Sequence, residues 1–217
     1  MYISPNYKHS KDCGGGGGYL CNTKYLKSVS MEWPEKAYEK KRMGNDDDDD
    51  DVLEDLQPHS NLKELKIKHY QRLTIPQWAR EDGLATSLPN LIKIVLVNCN
   101  GLKELPWLGK LQHLKTLELH NLENLECMEN KTRGTNIGSS RNAAATTIAP
   151  SSSLGVEITE SSIFFPSLEN LKLMYLPKLQ GWWRGSSGPA GGQRLASFPR
   201  LSRVTIEYCP NLRSMCP

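Results

Sequence analysis

Leu114-Lys115-Thr116-Leu117-Glu118-Leu119-His120-Asn121-Leu122-Glu123-Asn124-Leu125 places leucine at a fixed set of intervals, L-x-x-L-x-L-x-x-L-x-x-L. The central L-x-L alternation puts two apolar side chains on one face of a short strand. The leucines that follow turn the chain back over that face. A unit of this kind has no second layer of its own to bury its leucines against, so it requires neighbours built the same way.

The neighbours are present. Leu62, Leu65, Ile67, Tyr70 and Leu73 repeat the spacing upstream, followed by Leu91, Ile94, Leu96, Cys99 and Leu102, which continue to Leu105 and Pro106. Leu168, Leu171, Leu173, Leu176 and Leu179 repeat it downstream, then Leu201, Val204, Ile206, Cys209 and Leu212. A partial copy, Leu26, Val29 and Met31, ends at Trp33-Pro34. Such a period is the signature of a leucine-rich repeat. The expected fold is an α/β solenoid, or horseshoe, with a parallel β-sheet on its concave face and mostly loops and short helices on its convex face.

The first residues of successive full copies lie 29, 23, 54 and 33 positions apart. The 54-residue step implies an insertion, placed at about 127–163, where Ser, Thr, Gly, Asn and Ala dominate and too little is apolar to fold. Residues 1–20, with Gly14 to Gly18, are expected to be flexible, and residues 21–217 to form the repeat domain. Glu35 to Asn45 and Ser186 to Gln193 read as loops. The acidic loop 46–51 precedes Val52-Leu53-Glu54-Asp55-Leu56, a short helix favoured by carboxylates at its N-terminus and ended by Pro58. Both ends of the stack lack a polar cap, which predicts exposed apolar edges.

Composition narrows the function classes. With 27 basic and 24 acidic residues the net charge is +3, no basis for binding nucleic acid or an anionic membrane. No apolar run approaches the roughly 20 residues that cross a bilayer. Met1 to Cys13 lacks the apolar stretch of a secretory signal, so the expected location is cytoplasmic, with a nuclear pool as the further possibility. Cys13, Cys21, Cys99, Cys127, Cys209 and Cys216 contain no C-x-x-C pair and read as reduced thiols.

No candidate for chemistry outweighs its structural reading. The glycine run lacks the G-x-x-x-x-G-K-[ST] frame and reads as a linker. Asp46 to Asp51 lacks the spaced ligands and turn glycine of a calcium loop. His9, His59, His69, His113 and His120 are scattered, with no H-E-x-x-H, and no G-x-S-x-G occurs. Asn130-Lys131-Thr132 matches a glycosylation sequon but lacks the secretory context. Cys99 and Cys209 share a repeat position at which a small group fills space beneath the turn. Trp182 and Trp183 are read as core packing for at least one ring, with an exposed anchor for a partner as the other possibility. The expectation is a non-enzyme that needs no metal or cofactor.

The contact surface follows from the period, because residues alternating with the buried pair point away from the core. Ser28, Ser30 and Glu32 occupy these places in the first strand, and Glu64, Lys66 and Lys68 in the second. Lys93, Val95 and Val97 come next, then Thr116, Glu118 and His120, then Asn170, Lys172 and Met174, and finally Arg203, Thr205 and Glu207. Charges of both signs alternate across this face, which suits a protein partner better than a nucleic acid.

Several linking motifs carry a family resemblance. They are Leu56-Gln57-Pro58-His59-Ser60-Asn61-Leu62, Ile75-Pro76-Gln77-Trp78 and Leu105-Pro106-Trp107-Leu108-Gly109-Lys110-Leu111, then Phe165-Pro166-Ser167-Leu168 and Leu176-Pro177-Lys178-Leu179-Gln180-Gly181-Trp182-Trp183, and finally Phe198-Pro199-Arg200-Leu201 running on to Cys209-Pro210-Asn211-Leu212. As an ordered set, over roughly Tyr19 to Pro217, they resemble the repeat region of plant intracellular nucleotide-binding, leucine-rich-repeat disease-resistance proteins of the coiled-coil class. The resemblance implies an immune role, in which repeats sense a pathogen effector or an altered host protein and contact the nucleotide-binding domain. This sequence holds no phosphate loop, so the ATP-dependent switch is not carried over. The other readings are a stand-alone repeat scaffold or decoy without immune signalling, and a small-molecule binder.

Overall fold

The computed structural model describes residues 2–3, 20–34, 52–73, 75–80, 83–106, 108–129, 165–183 and 198–213. The glycine run, the acidic loop, most of the insertion, the sequon and the Ser186–Gln193 loop lie outside the described residues, as do Cys13 and Cys216.

Nine strands run in chain order among the described residues: β1 (Tyr2–Ile3), β2 (Ser28–Glu32), β3 (Glu64–Lys68), β4 (Lys93–Val97), β5 (Thr116–His120), β6 (Cys127–Glu129), β7 (Asn170–Met174), β8 (Gly181–Trp183) and β9 (Arg203–Glu207). Seven form one sheet, ordered β1-β2-β3-β4-β5-β7-β9, and every neighbouring pair is parallel. Each five-residue strand is the x-L-x-L-x core of one repeat. The register therefore aligns Val29, Leu65, Ile94, Leu117, Leu171 and Val204 in one row. Met31, Ile67, Leu96, Leu119, Leu173 and Ile206 make a second row. From β2 to β7 these residues are buried. In β9, Val204 and Ile206 are 45% and 42% exposed, because no described repeat covers them. Strand β5 pairs directly with β7, so the long step between copies adds no described strand to the main sheet.

The return legs carry short helices, Val52–Asp55 and Gly83–Ser87, and single 3₁₀ turns, Gln77–Ala79 and Leu108–Lys110. The helix expected after the acidic loop is present. Its Leu53 is buried, and the Leu53 carbonyl accepts a hydrogen bond from Trp78 Nε1 at 3.0 Å. The later leucines, Leu102, Leu122, Leu125, Leu176 and Leu179, close over the strand rows as expected.

Three features depart from the sequence reading. Leu73, assigned to the interior, is 71% exposed; Ile75 and Trp78 pack against the core after it instead. Tyr2–Ile3, placed in a flexible segment, pairs with Ser30 and Met31, a contact of two residues too short to carry a period. Cys127–Glu129, assigned to the start of the insertion, is strand, with Cys127 and Met128 buried. It belongs to a second ladder on the return side, formed by a bridge at Glu104, then β6 and β8. Hydrogen bonds from Glu126 N–H to the Lys103 carbonyl, Gln180 N–H to Glu126 and Arg213 N–H to Gln180 carry that ladder across four repeats.

Candidate functional site

The core-averted face of the main sheet holds every residue selected as a contact candidate. Residues Glu64, Lys93, Thr116, Asn170 and Arg203 share one register row. Lys66, Val95, Glu118, Lys172 and Thr205 share the middle row, and Lys68, Val97, His120, Met174 and Glu207 the third. The strand alternation puts them there, and the leucines beneath fix their spacing.

Register decides which charges meet. Lys68 Nζ donates to Glu32 Oε2 at 2.7 Å, one strand away in the same row. Ser28 Oγ donates to Glu64 Oε2 at 3.1 Å. Lys93 Nζ reaches diagonally to Glu118 Oε1 at 2.7 Å, and His120 Nε2 lies 3.4 Å from the other carboxylate oxygen. Burial pushes the Glu118 carboxyl upward in pKa. The hydrogen bond and charge of Lys93, with His120 and the charge of Lys172, outweigh it and hold Glu118 below its ordinary value. Part of the face is thus already paired within the chain. Among the described residues, Lys66 makes no ion pair, and Lys172 acts on Glu118 only through its charge.

Val95 differs from its neighbours. It lies on this face but is only 7% exposed. Lys66 and Glu118 flank it in register, and long aliphatic stems shade a short branched side chain between them. It offers little direct contact, unlike half-buried Val97 and Met174.

The edge of the face where the strands end carries a column that the sequence reading did not single out. His69, Asn98, Asn121, Tyr175 and Tyr208 each follow a strand directly, and each has φ between 52° and 57°. Asn98 Nδ2 lies 3.3 Å from His69 Nδ1, Asn121 Nδ2 donates to Asn98 Oδ1 at 2.9 Å, and Tyr175 and Tyr208 stack with ring centroids 4.6 Å apart. Recurrence of asparagine immediately after L-x-L-x was the available signal, since asparagine tolerates this left-handed conformation.

Other candidates have structural surroundings. Cys99 is buried, and Sγ lies 3.5 Å from the Val97 carbonyl and 3.7 Å from that of Ile67. Burial pushes its thiol pKa up to about 12. Cys209 repeats the arrangement against Glu207 and Leu173. Among the described residues no group of three His, Cys, Asp or Glu side chains could hold a metal ion. A wholly apolar cavity of about 50 Å³ lies in the core beside Leu65, Tyr70, Trp78 and Leu102, well below the roughly 300 Å³ of a small ligand pocket. No helix among the described residues is long and apolar enough to cross a membrane. Trp182 and Trp183 lie in β8, and their side chains lie outside the described residues.

The family model of the R13L1/DRL21 LRRs matches residues 14–122, half of the chain. The chain belongs to this leucine-rich-repeat family of plant disease-resistance proteins. It is 31% identical over 170 residues to the putative disease resistance protein RGA1 of Solanum bulbocastanum, covering 77% of this chain and 13% of that protein. It is 27% identical over 189 residues to the putative disease resistance protein RGA4 of the same species, covering 85% and 15%. It is 25% identical over 203 residues to the putative disease resistance RPP13-like protein 1 of Arabidopsis thaliana, covering 91% and 16%. The chain therefore spans about a seventh of the length of these relatives. No solved structure matches it.

Proposed function

We propose that this chain is a protein-recognition module of a plant immune receptor, binding a pathogen effector, a guarded host protein or a receptor's nucleotide-binding domain through the core-averted sheet face. The observation that carries the reading is that face itself. Fifteen side chains from Glu64 to Glu207 stand in three register rows on a leucine-packed support. Apart from buried Val95 and the Lys93–Glu118 pair, they can change without disturbing the leucine stack, which is what a surface selected for different partners requires. Kinship with plant disease-resistance proteins supplies the biological setting.

Lys66 and Lys172 are the cations of the middle row, in register with Val95 and with Glu118. They can exchange water for a partner's carboxylates, and such pairs set specificity and on-rate. The test measures binding of a relative's nucleotide-binding domain, supplied in trans, to the wild-type chain and to a K66E/K172E variant. The expected result is an at least tenfold change in affinity with an unchanged circular dichroism spectrum. Absence of wild-type binding, or equal binding by a folded variant, counts against this face and this partner.

A further inference from the structure

Most charges on the core-averted face from β2 to β7 already answer one another. Lys68 is held by Glu32 and Lys93 by Glu118, each at 2.7 Å. Glu118 also has His120 Nε2 at 3.4 Å, and Glu64 accepts from Ser28 Oγ at 3.1 Å. Among the described residues, Lys66 and Lys172 are the cations of these strands' outward rows that make no ion pair. Both stand in the middle row, which runs Lys66, Val95, Glu118, Lys172 over neighbouring strands. Three strand spacings of about 4.8 Å set their backbones about 14 Å apart. The ground between them is already settled. Val95 is 7% exposed, and Glu118 has one carboxylate oxygen on Lys93 and the other beside His120.

We infer that this row takes an extended, acidic protein segment laid across the strands, with carboxylates at positions i and i+4 seated on Lys66 and Lys172. This rests on the reading of the face as a recognition surface and names the chemistry it recognises. Extended chain advances about 3.4 Å per residue and returns to the same face at every second residue. Residues i and i+4 therefore share a face about 14 Å apart, which matches the two lysines. A helix does not fit that interval. It rises about 1.5 Å per residue, so about nine residues span 14 Å, and nine steps of about 100° carry the second carboxylate to the opposite side. Residue i+2 falls on the same face midway, over the seam between Val95 and Glu118. A carboxylate there would meet the Glu118 charge, so the middle position must be neutral. The recognised pattern is acid-x-neutral-x-acid. A basic segment finds no matching pair of anions. Glu32 and Glu118 are committed to Lys68 and Lys93, and Glu64, the remaining carboxylate from β2 to β7 on this face, stands in the first row at the start of β3.

The test titrates the isotope-labelled 217-residue chain with capped heptapeptides at low ionic strength, where exposed charge pairs are least screened, and reads affinity from amide shifts in nuclear magnetic resonance spectra. The probe is Thr-Glu-Thr-Ser-Thr-Glu-Thr, whose threonines favour extended chain. Its shifts are expected to concentrate at Lys66, Val95, Glu118 and Lys172. Moving the second glutamate one residue earlier, replacing the central serine by glutamate, or replacing both glutamates by lysine is each expected to weaken binding about threefold or more, the effect of losing one exposed ion pair. K66Q and K172Q are each expected to do the same. K103Q removes an equal charge from the return side and is expected to leave the affinity unchanged. Equal binding of the acidic peptides, no binding of the probe, shifts confined to other residues, or wild-type affinity in K66Q and K172Q overturns the inference. If K66E/K172E alters binding of the nucleotide-binding domain while the peptides show no spacing preference, this inference fails and the recognition face stands. A spacing preference without domain binding supports the inference and removes only that partner.

Discussion

Asn121 Nδ2 donates to Asn98 Oδ1 at 2.9 Å, joining two residues that both hold left-handed backbone, φ 52° and 55°. After β3, β4, β5, β7 and β9 the chain turns sharply at this point, so that the next residues fold back over the leucines. Most side chains resist that conformation by roughly 1–2 kcal/mol, whereas asparagine visits it routinely. The same amide then bonds to its neighbour in the adjoining repeat, so one residue type both permits the turn and ties the repeats together. In the last two described repeats Tyr175 and Tyr208 occupy the position and stack instead.

Replacing Asn98 by alanine therefore removes both contributions. Asn98→Ala is expected to destabilise the chain by about 2 kcal/mol, combining turn strain with a lost side-chain hydrogen bond. Urea denaturation followed by circular dichroism measures it. A loss under about 0.5 kcal/mol would show that the Asn98–Asn121 link does not matter.

Gly101 is fixed by sterics. A Cβ there would lie 2.2 Å from the Gln71 carbonyl oxygen and 2.3 Å from that of Arg72, both backbone atoms of the preceding repeat. Gly101→Ala must push two repeats apart and is expected to cost on the order of 3 kcal/mol. At Gly83 the closest approach is 3.0 Å, so Gly83→Ala should be milder. Comparable midpoints of unfolding for the two variants would contradict the contact.

The two fates of leucine in these repeats can be compared directly. Leu119 is fully buried and Leu73 is 71% exposed. Leu119→Ala should destabilise by about 2–5 kcal/mol through the cavity it leaves. Leu73→Ala should stay within about 0.5 kcal/mol of the wild type. Parallel thermal melts of the two variants check this, and equal losses would return Leu73 to the interior.

Glu118 links the face to pH. Its folded-state pKa lies below its unfolded value, so its contribution is complete above the ordinary carboxylate range. That contribution is lost as pH falls through the depressed folded pKa, when the pair with Lys93 breaks. Stability measured between pH 7 and pH 3 should fall less steeply in Glu118→Gln than in the wild type. An identical pH profile would show that Glu118 gains nothing from Lys93.

Cys99 should be inert in the native state. With a thiol pKa of about 12 and no solvent access, it holds almost no thiolate at neutral pH. In a variant with the other cysteines replaced by serine, maleimide should label Cys99 only as fast as the chain opens, and labelling should accelerate in denaturant. Rapid labelling without denaturant would contradict the packing.

The repeated leucines by themselves determined the parallel sheet, its strand boundaries and its outward-facing rows. A fixed interval of apolar residues leaves one way to bury them, and Leu117 and Leu119 show it in a dozen residues of sequence. They also determined that Cys99 and Cys209 would be equivalent, because both fall at one point of the period. Only the tertiary structure decided what depends on neighbours distant in sequence. Lys93 pairs with Glu118 because register sets them on adjacent strands, and Val95 is shaded because Lys66 and Glu118 flank it. Leu73 faces outward because Ile75 and Trp78 pack behind it, and Val204 and Ile206 stand open because β9 has no described neighbour on its outer side. The period fixes which way a side chain points; what it meets there depends on residues some 20 to 60 positions away, which no local pattern specifies.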